Sequence, residues 1–141
     1  KIGYIPQMIE FENGEQTLLA YFSRAVGLPE QKSRSILARF RFNVEDVTKR
    51  TKNLSGGEKM KVKMAELLQQ EVNTLIFDEP KEVLEEALEE FSGTLIFISH
   101  DRFFINKFAN RIIIFEGGKI NEYWGNYDEY KATLIPNKVE K

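Results

Sequence analysis

The chain has 141 residues, 42% of them hydrophobic and 30% charged. That is the composition of a soluble globular domain, or a piece of one, long enough to bury a real core. It contains no cysteine, which excludes disulfides, zinc–thiolate sites and thiol catalysis and is compatible with the cytosol. No apolar run approaches the ~20 residues that cross a bilayer. The start, at Lys1 without a methionine, carries no signal-peptide pattern and reads as that of a fragment or processed chain.

Residues 1–6 predict a short strand stopped by Pro6, with Gln7 just beyond it. Residues 15–26 and 29–41 predict two helices. Leu18, Leu19, Phe22 and Val26 recur at helical spacing, as do Ser33, Ile36, Leu37 and Phe40, and Pro29 lies near the second start. This helical block holds much of a basic segment. Residues 32–63 carry ten lysines and arginines against three acids, a local charge of +7 that leaves −9 for the remainder of a chain whose net charge is −2. Nucleic acid, a polyphosphate and plain solvent are all open as its counterpart.

Residues 56–70 predict a third helix, with Met60, Met64, Leu67 and Leu68 as its apolar stripe. Residues 73–78 predict a nearly all-apolar strand, of the kind buried on both faces of a parallel sheet, and 94–99 a second one. Between them, residues 82–91 predict a helix with Val83, Leu84, Ala87, Leu88 and Phe91 inward and four glutamates outward. A helix over 102–109 leads to a strand over 111–115, and Gly117-Gly118 turns the chain into 119–124. This order predicts an α/β fold, a mostly parallel sheet with a small α-helical subdomain.

One junction is unusually tight. Pro80 ends one motif and Lys81 begins the next helix, where a strand-to-helix connection normally takes ~2–6 residues. Either a loop is deleted there or a disordered one is missing. The second is the preferred reading, because Glu79 would otherwise sit at a strained corner.

Three clusters carry chemistry. Leu54-Ser55-Gly56-Gly57-Glu58 opens a helix, whose N-terminus offers unpaired N–H groups and partial positive charge to a phosphate. Leu75-Ile-Phe-Asp-Glu-Pro80 puts Asp78 and Glu79 at a strand end, where paired acids suit magnesium and a water nucleophile. Ser99-His100-Asp101 ends the next strand and holds the chain's one histidine. Taken singly, each has a plain structural reading as a turn, a solvated acid pair or a surface histidine. Together, all fall at carboxyl ends of strands or at a helix start, where open α/β sheets bind ligands.

In this order the segments resemble those of an ATP-binding cassette ATPase. Leu54 to Glu58 is similar to the signature, Leu75 to Pro80 to the Walker B strand, His100 to the switch histidine and Gln7 to the Q-loop. The extension Ser99-His-Asp-Arg-Phe-Phe104 and the ending Gly125-Asn-Tyr-Asp-Glu-Tyr130 resemble the soluble F subfamily, whose paired cassettes act on the ribosome in translation or in protection from antibiotics. The resemblance implies a partial cassette over 1–141, with the Q-loop strand at 1–8, a helical signature subdomain at 9–70 and the rest of the core at 71–141.

The same resemblance implies the roles. Asp78 holds Mg2+ through water, Glu79 is the general base, His100 contacts the γ-phosphate, and Gln7 senses the metal and the nucleophile. Ser55, Gly56, Gly57 and Glu58 belong to the surface that meets ATP bound on a second cassette. The implied partners are that second cassette and the ribosome or tRNA, without membrane insertion and in the cytoplasm.

No Gly-x-x-x-x-Gly-Lys-Ser/Thr occurs in the chain. The resemblance places that P-loop before Lys1 and a D-loop after Pro80, so the chain alone is expected to bind ATP weakly and to be inactive. The polar ending after Tyr130 fits a true C-terminus of a second cassette. Two alternatives stay open: the nucleotide-binding subunit of a membrane transporter, and a non-catalytic interaction domain that has lost its P-loop.

Overall fold

The computed structural model describes residues 1–135. Most of the polar ending, from residue 136 on, lies outside the described residues. The chain forms two compact units, Lys1–Ile98 and Ser99–Lys141.

The first unit is built on three parallel strands in the order β1 (Ile2–Ile5), β2 (Thr74–Asp78), β3 (Thr94–Ile98). Ile5 pairs with Phe77, Phe77 with Phe97 and Asp78 with Ile98. Side chains alternate across a sheet, so this register puts Gly3, Ile5, Leu75, Phe77, Leu95 and Phe97 on one face. Ile2, Tyr4, Ile76, Asp78, Ile96 and Ile98 lie on the other. The helix α3 (Gly56–Gln69) covers the first face so closely that a Cβ on Gly3 would stand 2.9 Å from Leu67 Cδ1. Ile5, Leu75 and Phe77 are buried there, whereas Ile2, Tyr4, Ile96 and Ile98 are exposed. The expectation that the apolar strands β2 and β3 are buried on both faces therefore fails, because only one face of the sheet is covered.

Between β1 and β2 the helical block forms as expected, from α1 (Leu18–Val26), α2 (Glu30–Arg39) and α3. The α1 helix starts at Leu18 because Thr17 Oγ1 accepts the Ala20 N–H at 3.2 Å, and it stops at Gly27, whose φ of 66° suits glycine. Leu18, Phe22, Leu37, Val47, Val62 and Ala65 share its core. The Met60, Met64 and Leu67 stripe of α3 is buried as well. Buried on both sides, α3 ties the helical block to the sheet. The Tyr21 hydroxyl adds a polar tie from α1, donating to the Glu66 carboxylate at 2.7 Å, which Lys63 also meets at 3.1 Å.

The helix expected over 82–91 is shorter than its pattern suggests. A 3-10 turn at Glu82–Leu84 leads into α4 (Glu85–Glu89), with no side-chain cap at either start. Leu84 and Leu88 are buried, but Val83 is exposed. The extended Lys81 enters this turn directly after Pro80, leaving no residues in which to set up a helix N-cap.

The second unit contains α5 (Arg102–Phe108), the antiparallel hairpin β4 (Arg111–Glu116) and β5 (Lys119–Trp124), and α6 (Tyr127–Thr133). Gly117 and Gly118 both take positive φ, 56° and 74°, as the expected two-residue hairpin turn requires. Asn106 Oδ1 accepts the Asp128 N–H at 3.0 Å and joins α6 to α5.

Candidate functional site

Parallel pairing brings Gln7 and the acid pair to one end of the sheet. Ile5 and Phe77 are register partners, so Gln7 and Glu79 each lie two residues past the same rung. Asp78 closes β2 and is half-buried, as is Glu79, while Gln7 is exposed. Glu79 leaves the strand in a left-handed conformation, φ 55°, and its N–H donates to the Ile98 carbonyl at 2.9 Å. A non-glycine residue in that region is strained. The preferred reading, a missing loop that spares Glu79 a strained corner, is not what the structure shows: the chain runs directly from Glu79 through the buried Pro80 to Lys81, and the strained corner is present.

The signature segment sits at the start of α3. Ser55 is its N-cap: Ser55 Oγ accepts the Glu58 N–H at 3.2 Å, and Glu58 Oε2 accepts the Ser55 N–H at 2.7 Å. This reciprocal capping box gives both residues a structural duty. Burial alone would raise the Glu58 pKa. The Ser55 N–H and the Lys49 ammonium, 3.3 Å away, outweigh it and hold the carboxyl below its ordinary value.

Sequence reasoning missed what stands against the two signature glycines. A Cβ on Gly56 would meet Lys81 Nζ at 2.5 Å, and one on Gly57 would meet Val83 Cγ2 at 3.1 Å. The segment after Pro80 thus lies on the start of α3. The signal available was the tight junction itself, which leaves Lys81 and Val83 little freedom to go elsewhere.

His100 belongs to the second unit and is exposed. Its neighbours are occupied structurally. Asp101 caps α5, accepting the N–H groups of Phe103 at 2.9 Å and Phe104 at 3.3 Å, and the Asp101 N–H donates to Ser99 Oγ at 3.0 Å. The Ser-His-Asp order is therefore also a helix-start device.

Among the described residues no group of three or more His, Cys, Asp or Glu is arranged to hold a metal. Magnesium commonly takes one or two carboxylates, with waters and substrate phosphates completing its shell. Asp78 beside Glu79, at the sheet end shared with Gln7, fits that mode.

The basic segment is largely paired. Arg41 meets Glu86 at 2.6 Å and Arg50 meets Glu15 at 2.6 Å, with Lys52 also on Glu15. Lys49 and Lys63 are paired too, and Lys61 donates to the Phe40 carbonyl at 3.1 Å. Lys32, Arg34, Arg39 and Lys59 have no ion pair among the described residues, and all but Lys59 are exposed.

The sequence profile of the family described as ABC transporter matches residues 1–82, more than half of the chain. The chain belongs to the ABC transporter family. Among its curated relatives, the ATP-binding protein YdiF of Bacillus subtilis (strain 168) is 42% identical over 138 residues, covering 92% of this chain and 22% of that protein. The energy-dependent translational throttle protein EttA of Escherichia coli (strain K12) is 39% identical over 128 residues, covering 82% of this chain and 23% of that protein. The chain thus spans under a quarter of the length of these relatives. The solved structure of cbiO1 from Clostridium perfringens, part of the ABC transporter complex cbiONQ, matches 94% of the chain and 60% of its own with a TM-score of 0.72 at 24% identity. That likeness establishes the α/β cassette fold. Among the described residues no helix is long and apolar enough to cross a membrane.

Proposed function

We propose that the chain is the later part of an ATP-binding cassette of the F type, which closes on a second cassette around ATP and acts on the ribosome, in translation or in resistance to ribosome-binding antibiotics. The observation that carries the nucleotide reading is the strand register, which sets Gln7 level with Asp78 and Glu79 at the carboxyl end of a parallel sheet. Similarity to EttA over 82% of the chain supports the ribosome as partner and the cytoplasm as location.

In this reading Glu79 accepts a proton from the water whose oxygen attacks the γ-phosphorus, as the bond to the β–γ bridging oxygen breaks to give ADP and phosphate. Asp78 and Gln7 hold Mg2+ through water, and the ion, when bound, offsets charge on the phosphates. His100 contacts the γ-phosphate. The Ser55 to Glu58 end of α3 presents its first-turn N–H groups to nucleotide on the second cassette, with Glu58 keeping that end folded.

The test is sedimentation of the full-length protein containing this chain with ribosomes, in ATP and in ADP. ATP-dependent co-sedimentation is expected. Association with a membrane fraction and none with ribosomes would favour the transporter-subunit reading instead.

A further inference from the structure

The residues after Pro80 lie against the start of α3, the end that the proposed function gives to nucleotide on a second cassette. A Cβ on Gly56 would stand 2.5 Å from Lys81 Nζ, and one on Gly57 would stand 3.1 Å from Val83 Cγ2 and 3.4 Å from Val83 Cγ1. Gly57 is half-buried, while Ser55 and Gly56 stay exposed. The segment therefore flanks the signature turn on one side.

Two anchors hold it there. Before it, the Glu79 N–H donates to the Ile98 carbonyl at 2.9 Å, and Pro80 is buried. After it, Leu84 is fully buried and its N–H donates to the Lys81 carbonyl at 3.0 Å. Only residues 81–83 bridge these anchors, and three residues reach at most about 10 Å. Electrostatics do not favour the placement, because the Lys81 ammonium stands at the positive end of the α3 dipole. Val83 remains 50% exposed, so its contact with Gly57 shelters little of it. The segment lies on the signature because the connection is short, and the strain appears at Glu79 as a φ of 55°.

We propose that residues 81–84 form a self-inhibitory strap: they occupy one flank of the signature turn, and closure on a second cassette around ATP requires them to lift. The proposal concerns regulation of the signature end and rests on reading that end as a nucleotide-facing surface. In the native chain, lifting the strap either unseats Leu84 or parts Glu79 from Ile98. Both keep the closing-competent form a minor population, and apparent nucleotide affinity falls by that same fraction. Slack after Pro80 breaks this link, since 81–83 then move while both anchors stay seated.

The experiment uses the full-length protein containing this chain and a non-hydrolysable β,γ-imido analogue of ATP. Small-angle scattering follows nucleotide-dependent compaction as the analogue is titrated. The native protein is compared with a Gly-Ser-Gly insertion between Pro80 and Lys81. A second variant, Lys81→Ala with Val83→Ser, thins the strap without lengthening the chain. Both of its side chains are exposed, so its circular dichroism and urea unfolding should match the native protein. The insertion should lower the midpoint of compaction by about tenfold, and the double substitution by about threefold. Equal midpoints in all three proteins, or later compaction in the variants, would overturn the strap and leave the nucleotide reading standing. No compaction in any of them, with the analogue shown to be bound, would overturn the nucleotide-facing reading of the signature end and the strap with it.

Discussion

The Glu79 N–H is held by the Ile98 carbonyl at 2.9 Å, so the residue proposed as general base is fastened to the end of the neighbouring strand while its backbone is left-handed. Strand pairing and a tight exit oppose each other at this one residue. The fold keeps the bond and accepts the strain.

That strain is measurable. A left-handed conformation costs a non-glycine residue about 1 kcal/mol relative to glycine. Glu79→Gly should therefore be more stable than Glu79→Ala by about that amount in urea unfolding, although both remove the carboxylate. Equal stabilities would show that the corner carries no strain.

The signature end of α3 should separate folding from function. Ser55→Ala removes the cap and should cost about 1 kcal/mol, whereas Ser55→Thr should cost little. Gly56→Ala should leave unfolding nearly unchanged, because its methyl displaces only the flexible end of Lys81. In the full protein that same variant should weaken ATP-driven closure of the two cassettes, read as loss of nucleotide-dependent compaction.

Acid should loosen the same helix end. The Glu58 carboxyl has a lowered pKa in the folded state, so its contribution is present above its ordinary value of 4.5 and is lost as pH falls through the lower, folded one. Amide exchange at the start of α3 should accelerate over that range. Glu58→Gln, which retains an acceptor but loses the charge facing Lys49, should show a flatter acid limb. Identical profiles would contradict the assignment.

Tyr21 acts at the other extreme. Burial first, and then the Glu66 carboxylate, push its phenol above the ordinary value of 10. A raised folded pKa gives stability that is intact below pH 10 and lost as pH climbs toward the folded value. Tyr21→Phe should cost about 1–2 kcal/mol at neutral pH, since Glu66 loses a donor while 8% exposed. It should also flatten the alkaline limb of a thermal-stability profile.

If the basic segment meets ribosomal RNA, binding should fall steeply with salt, and reversing Lys32 and Arg34 to Glu should reduce the slope of log affinity against log salt by about 2. Reversing Arg41, already paired with Glu86, should alter it less. A salt-independent association would rule out this interface.

Local pattern made most elements legible. The apolar spacing of Leu18, Leu19 and Phe22, the Gly117-Gly118 turn and the Met60 stripe each name their structure without tertiary help. Other features depended on partners distant in sequence. Glu15 and Glu86 neutralise Arg50, Lys52 and Arg41 across about 35 to 45 residues, so a segment that reads as +7 leaves Lys32, Arg34, Arg39, Lys59 and Lys61 without an ion pair among the described residues. Ile96 and Ile98 read as core because a parallel strand normally has two covers, and here one is missing. Lys81 and Val83 lie on the signature glycines because the chain has no slack after Pro80, a consequence visible only once α3 and β2 are placed.

ATP turnover by the full-length protein, native and Glu79→Gln, tests the central claim most directly. If Glu79 is the general base of this cassette, the variant should lose turnover by at least about a hundredfold while retaining ATP and staying in the closed two-cassette state, seen as bound nucleotide co-migrating with compact protein. Unchanged turnover in Glu79→Gln would contradict the claim.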